Sequence, residues 1–256
     1  MGKDAFAEEL AEVTEHLVKK LAPFLSITEE MGNAIRVLTQ DEGQFARGDQ
    51  IVAAGDLYSH VYLVNEGWAV RYKLLDSGER QIVNFSLPGD FLCFNAALFK
   101  RADYFLAAQT QLRVFVIPVL PFTKMLALQP ELALALCWTN AHEESLMAER
   151  IVSLGRRTAR ERMAHLFCEL WRRLELLDLT DDNRFPLPLT QEDLADILGL
   201  SSVHVNRTLQ KLRASQLLAT AADHMRILDH KGLEHLAGFD SGYLHFTEVG
   251  DLCTTS

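Results

Sequence analysis

At 256 residues the chain has room for two modest domains, and its 48% hydrophobic and 23% charged residues are those of a globular protein rather than a disordered or fibrous one. The formal charge of -10 excludes a surface that is basic throughout but leaves room for a local basic patch, since exposed charges are screened over a Debye length of about 10 Å. No apolar run reaches the roughly 18 to 20 residues of a bilayer span, because VFVIPVLPFT stops at Lys124, and the charged AEELAEVTEHLVKKL is no signal peptide. A cytoplasmic protein with no membrane partner is expected.

In chain order, carboxylates gather first at Glu8, Glu9, Glu12 and Glu15. From Gln50 to Pro118 the alternation in VYLV, WAVRY and RQIVNF, with turns at NEG, DSG and PGD, predicts short antiparallel strands closing into a barrel or roll. At Pro130 the period changes, and ELALALCWTNAHEESLMAERIVSL runs to Gly155 as one helix of about six turns. Along it Leu134, Trp138, Ala141, Ser145, Ala148 and Val152 recur at steps of four and three. Such a seam with small residues suits a symmetric dimer contact; the competing reading packs it on its own β-domain. A second helix follows in RTARERMAHLFCELWRRLELL. Between Arg150 and Arg173 the basic residues Arg150, Arg156, Arg157, Arg160, Arg162, Arg172 and Arg173 outnumber Glu161 and Glu169, which reads either as a local positive field or as a solvated helix face. DLTDDNRFPLPL is expected to be a loop, extended at Pro186 and Pro188.

The stretch LTQEDLADILGLSSVHVNRTLQKLR, Leu189 to Arg213, has the spacing of two short helices around a tight turn. Thr190 caps the first, with Asp193 completing a variant capping box, and Leu194, Ile197 and Leu198 share its inner face. Gly199 takes the left-handed turn and Ser201 caps the second helix, whose inward positions are Val205, Leu209 and Leu212. Val203, Asn206, Arg207 and Gln210 then point outward. A helical hairpin is the bland alternative, but the outer face carries chemistry suited to DNA. Arg207 matches guanine O6 and N7, Asn206 matches adenine, and Lys211 and Arg213 are placed for phosphates. Ser202 and His204 complete the candidate DNA-binding set. ATAADHMRILD reads as a small hairpin, a wing, with Arg226 a candidate phosphate contact.

A β-roll, a long helix and a winged helix-turn-helix, with GLSSVHVNRTLQKLR after LTQEDLADILG and GDLYSHVYLVNEGWAVRYKLLDSGERQIVNFSLPGDFL before them, resemble the superfamily of the cyclic AMP receptor protein and the fumarate and nitrate reductase regulator. The resemblance implies an α+β chain with a cyclic-nucleotide-binding-like β-roll after an N-terminal helix over 1–129, a dimerisation helix over 130–156, and a winged helix-turn-helix with a tail over 157–256. It also implies a homodimeric transcription regulator on a two-fold-symmetric double-stranded DNA site, with RNA polymerase as a partner. Where family members commonly place a Glu that reads cytosine, this chain has Val203, which suits a thymine methyl.

The effector pocket departs from the cyclic AMP pattern. Positions resembling the family's phosphate cassette read Gly89, Asp90, Phe91 and Arg101, Ala102, Asp103, Tyr104, and the long-helix positions read Met147 and Ala148. A carboxylate would face an anion and the adenine hydroxyl partners are missing, so cyclic AMP is not expected to be the effector. No cysteine precedes Cys93, so the amino-terminal iron–sulfur ligand set of the oxygen-sensing branch is absent. His60 and His142 are weak haem candidates, and Cys93 and Cys168 weak redox candidates. Cys93, Cys137, Cys168 and Cys253 form no C-x-x-C pair and read as isolated thiols. The chain shows no nucleophile elbow, P-loop, dinucleotide fingerprint or metal-ligand spacing, so no catalytic residue, cofactor or metal site is assigned. Two competitors remain: an enzyme, and a cyclic-nucleotide or small-ligand receptor acting on a protein partner.

Overall fold

The protein is described by a computed structural model covering residues 15–22, 27–221 and 223–246; Glu8, Glu9, Glu12 and Cys253 lie outside the described residues. Contacts group the chain into two units. One takes the described residues up to Tyr72, then Phe85–Glu143 and Phe246; the other takes Lys73–Asn84 and Glu144–His245.

The first unit contains helix α1 (15–21), α2 (Glu29–Leu38), strands β1 (Glu42–Phe45), β2 (Gln50–Val52), β3 (His60–Glu66), β4 (Ala69–Leu74), β5 (Arg80–Ser86), β6 (Phe91–Leu92), β7 (Phe105–Ala108) and β8 (Leu112–Pro118), and α3 (Val119–Leu128), with the tip of the β4–β5 hairpin assigned to the second unit. Strand orders β1-β8-β3-β6 and β2-β7-β4-β5 make the expected two-sheet roll. β1 and the flanking helices α2 and α3 extend it beyond the predicted strand region. The turns form where the sequence placed them. Gly67 has φ +85°, and a Cβ there would meet the Gln111 carbonyl at 2.1 Å, so no other residue fits. Leu63, Val61, Leu106, Leu112 and Ile117 fill the space between the sheets, and Phe91 and Phe94 close on Phe122 at centroid distances of 5.8 and 5.7 Å.

Helix α4 (Pro130–Arg156) is one continuous helix from Pro130, as the uninterrupted pattern predicts, but it runs 27 residues and passes through Gly155, longer than the six turns expected. In the second unit α5 (Ala159–Glu175) follows, started by a capping box between Thr158 and Glu161. Then come β9 (Arg184–Pro186), α6 (Gln191–Leu198), α7 (Ser202–Ala214), β10 (Leu218–Thr220), β11 (His224–Ile227) and α8 (His230–Ala237). The connector expected to be a loop thus contains β9, which pairs with β11; Pro186 is tolerated because β9 is an edge strand of the order β10-β11-β9.

Helix α5 is buried on most of its circumference, and much of the basic run is spent holding it. Arg150 donates to Glu169 at 2.8 Å, Arg173 lies 3.7 Å from the same carboxylate and donates to Asn84, and the Tyr243 hydroxyl donates to Glu169 at 3.3 Å. Glu169 is 1% exposed, so removing it would strand two buried guanidinium groups. Arg157 pairs with Glu149 at 2.5 Å, Arg162 donates to the carbonyls of Leu198 and Arg157, Arg160 to Ser215, and Arg172 to Glu175 and Glu234. The run is therefore neither a solvated face nor a free positive field; Arg156 is its exposed member.

His165 is buried in the same region, stacked on Tyr243 and edge-on to Phe239, with Nε2 3.3 Å from Glu149. Burial, then the charges of Arg157 and Arg150, push its pKa down from 6.5 to about 3. Between those values the unfolded chain holds a proton that the folded chain does not, so stability rises with pH across the window and is lost as pH falls through it. Chemical denaturation from pH 7 to pH 3.5 is expected to show a loss attributable to His165 of roughly 4 kcal/mol. His165→Gln flattens that part of the slope; an unchanged slope contradicts the assignment.

Candidate nucleic-acid interface

Local chemistry starts and ends the two helices where their spacing predicts. The Thr190 side chain accepts from the Asp193 backbone N–H at 3.1 Å, and Asp193 Oδ2 accepts from the Thr190 N–H at 2.9 Å. Gly199 ends α6 in the left-handed region, φ +61°, and Ser201 accepts from the His204 N–H to start α7. Leu194, Ile197 and Leu198 on α6 and Val205, Leu209 and Leu212 on α7 are buried, as their spacing predicts. Thr208 is also buried and returns its hydroxyl to the His204 carbonyl at 2.8 Å, so it costs no unsatisfied donor.

That packing leaves one face of α7 in solvent. Val203, His204, Asn206, Arg207, Gln210, Lys211 and Arg213 are exposed and Ser202 is half-buried. Val203 is 71% exposed, a value no core-forming valine has, so its methyl groups are available to a partner. Among the described residues, no hydrogen bond or ion pair engages the side chains of Arg207, Lys211 or Arg213, and α7 contains no carboxylate. The face combines a guanidinium fork, an amide and flanking point charges over one helical surface. This is the equipment for a major groove and its phosphate edges.

The wing forms as β10 and β11, with Leu218 opposite Ile227 and Thr220 opposite Met225. Arg226, expected as a phosphate contact, instead donates to Asp182 at 2.6 Å. An acidic partner 44 residues away in sequence takes up its charge, which local spacing does not reveal.

The residues proposed for the effector pocket have separate occupations. Gly89 has φ +82°, and a Cβ there would lie 2.7 Å from the His16 backbone, so the turn accommodates α1. Asp90 pairs with Lys20 of α1 and accepts from the Leu87 N–H at 2.8 Å. Phe91 belongs to the aromatic core, Arg101 is exposed and donates to the Gly55 carbonyl at 2.6 Å, and Asp103 is exposed. Met147 is half-buried and Ala148 exposed on α4. The Asp90 carboxylate is thus held in the turn, and one guanidinium nitrogen of Arg101 is engaged by a backbone carbonyl. The polar cluster of the roll brings Arg71 and Glu143, which the sequence reading did not single out, to Tyr104. Arg71 sits 5.4 Å from the Tyr104 ring centroid and 3.2 Å from Glu143. Burial pushes the Tyr104 hydroxyl up and the Cys93 thiol up to about 12, and Cys168 rises to about 12 for the same reason. Both cysteines are thiols at neutral pH, which removes the nucleophilic character a redox role needs. His60 shares a hydrogen with Ser59 at 2.8 Å and His142 stacks on Trp138 at 5.1 Å, so each haem candidate is occupied in local packing.

Comparison with known proteins agrees with this geometry. The model of the cyclic nucleotide-binding domain matches residues 42–129, and that of the Crp-like helix-turn-helix domain matches 161–236. The nitrogen fixation regulation protein FixK of Bradyrhizobium diazoefficiens is 34% identical over 75% of this chain and 80% of its own. The transcriptional activatory protein AadR of Rhodopseudomonas palustris is 34% identical over 83% of this chain and 89% of its own. The solved structure of FixK2 from Bradyrhizobium japonicum superimposes with a TM-score of 0.70 at 27% identity, covering 76% of this chain and 96% of that one.

Arg207 and Lys211 are expected to fail differently when truncated. Titration of duplexes should show Arg207→Ala costing about 1 to 3 kcal/mol and relaxing the preference at one base pair per half-site, whereas Lys211→Ala weakens all sequences alike and lowers the salt slope by about one. Intact specificity in Arg207→Ala contradicts the assignment of the α7 face.

Proposed function

The chain belongs to the Crp/Fnr family of DNA-binding transcription regulators, and on that premise we propose that it works as a homodimer joined along α4, presenting two copies of α7 to a two-fold-symmetric duplex site. The exposed face of α4 carries this reading. Leu134, Ala141, Ala148 and Val152 of the proposed seam are exposed, and Ile151 beside them is 71% exposed; Trp138 and Ser145 are half-buried. Leu132, Ala135, Leu136 and Leu146 are buried instead, so the helix already has a separate side for its own chain. An apolar stripe with small residues at intervals suits a second copy of itself about a two-fold axis.

In this reading Arg207 grips guanine, Asn206 and Gln210 contact neighbouring base edges, Val203 meets a thymine methyl, and Lys211 and Arg213 hold phosphates. The relatives are transcription regulators, and the α7 face offers recognition rather than bond chemistry. RNA polymerase is the proposed downstream partner and the cytoplasm the proposed location. Among the described residues no single helix is long and apolar enough to cross a membrane. Cyclic AMP is proposed not to be the effector, on the strength of the Asp90–Lys20 pair and the engagement of Arg101. No haem or other cofactor is proposed.

Two outcomes follow. Ala148→Arg places like charges across the axis, so sedimentation at micromolar concentration should show dissociation; a fully dimeric variant would show the seam to be misassigned. Calorimetry should find no saturable cyclic AMP binding at micromolar concentration that raises duplex affinity, and finding it would refute the effector reading.

A further inference from the structure

Helix α6, the first of the DNA-reading pair, is acidic: Glu192, Asp193 and Asp196 stand in its eight residues, with no Lys or Arg. In a helix-turn-helix this helix crosses the phosphate backbone, where uncompensated carboxylates repel the ligand. For Asp193 and Asp196, compensation comes from the hairpin tip of the same unit. Arg80 Nε donates to Asp196 Oδ2 at 2.6 Å and Nη2 donates to Asp193 Oδ1 at 2.7 Å, so one guanidinium bridges both carboxylates. Beside it Gln81 Nε2 donates to the Asp196 carbonyl at 2.6 Å.

Asp193 is committed twice. Its Oδ2 caps α6 through Thr190 while its Oδ1 receives Arg80, and its side chain is 7% exposed. The carboxylate cannot turn away from the helix without losing the cap. Burial opposes the charge on Arg80, but the hydrogen bonds it donates to Asp196 and Asp193 outweigh that and hold the guanidinium above its usual value. The pairs are 113 and 116 residues apart in sequence and partly shielded from solvent, which distinguishes them from a surface pair of little effect.

We propose that Arg80 is a positioning residue for DNA binding, holding Asp193 and Asp196 together and offsetting one of their two charges so that α6 can lie against a phosphate backbone and α7 can enter the groove beside it. Arg80 works through the two aspartates rather than by touching DNA. The inference rests on the DNA-binding function and concerns how the protein, with an acidic first helix, carries it out.

The test is a charge cycle on the full-length protein, read by duplex titration at about 0.1 M and about 0.5 M salt, with thermal unfolding followed in parallel. Arg80→Ala is expected to weaken binding about fivefold at the lower salt and by less at the higher, because the exposed field is screened. Adding Asp196→Asn to that variant is expected to restore affinity to within about twofold, since it returns the cluster to its original net charge even though it restores no hydrogen bond. Arg80→Lys keeps the charge and is expected to bind nearly as the natural chain does. Unchanged or tighter binding by Arg80→Ala overturns the proposal, and so does a loss that Asp196→Asn fails to rescue, which would mean that Arg80 holds shape or touches the DNA itself.

Discussion

A chain with a formal charge of -10 holds a polyanion only if its carboxylates near the contact are occupied and its uncommitted cations stand together. In the second unit Arg80 holds two of the three α6 carboxylates, Asp193 and Asp196, and the uncommitted cations stand together on α7. The unit's buried and half-buried arginines are spent internally, Arg150 and Arg173 on Glu169, Arg157 on Glu149 and Arg162 on the end of α6. The α7 cations Arg207, Lys211 and Arg213 have no such ties among the described residues. Net charge is therefore a poor guide to this protein's ligand, because the distribution is decided pair by pair.

The internal pairs also fix the frame that presents α7. Arg162 reaches from the start of α5 to the Leu198 carbonyl, just where Gly199 turns the chain toward α7. Arg160 reaches Ser215 just past the other end of α7. The end of α6 before the turn and the residue after α7 are thus both tied to α5, whose own position depends on the Glu169 network. Rigid support of this kind preorganises the contact face and lowers the ordering cost of binding.

How much of this was legible depended on sequence distance. The caps at Thr190 and Ser201, the Gly199 turn, the inner faces of α6 and α7 and the long helix from Pro130 follow from spacing within a few residues, and the structure has them all. What sequence reading missed needs partners far away in the chain. Nothing near Arg226 points to Asp182, nothing near Arg80 points to Asp196, and the run from Arg150 to Arg173 looks like a cationic face until Glu149, Glu169 and Glu234 are brought to it. The effector residues illustrate the same limit. Gly89 and Asp90 were read through a resemblance, while their occupation by His16 and Lys20 depends on how α1 returns over the turn. A cysteine's reactivity is equally tertiary: Cys93 and Cys168 differ from an exposed thiol through burial, which no spacing encodes.

In the proposed dimer the exposed face of α7, present twice, reads base sequence. Selection from a random duplex library with the purified protein is the decisive experiment. Enrichment of a two-fold-symmetric site is expected, with a guanine in each half under Arg207 and no fixed C·G pair under Val203. Recovery of duplexes held only by salt-sensitive binding, with no sequence enriched, would contradict that role of α7.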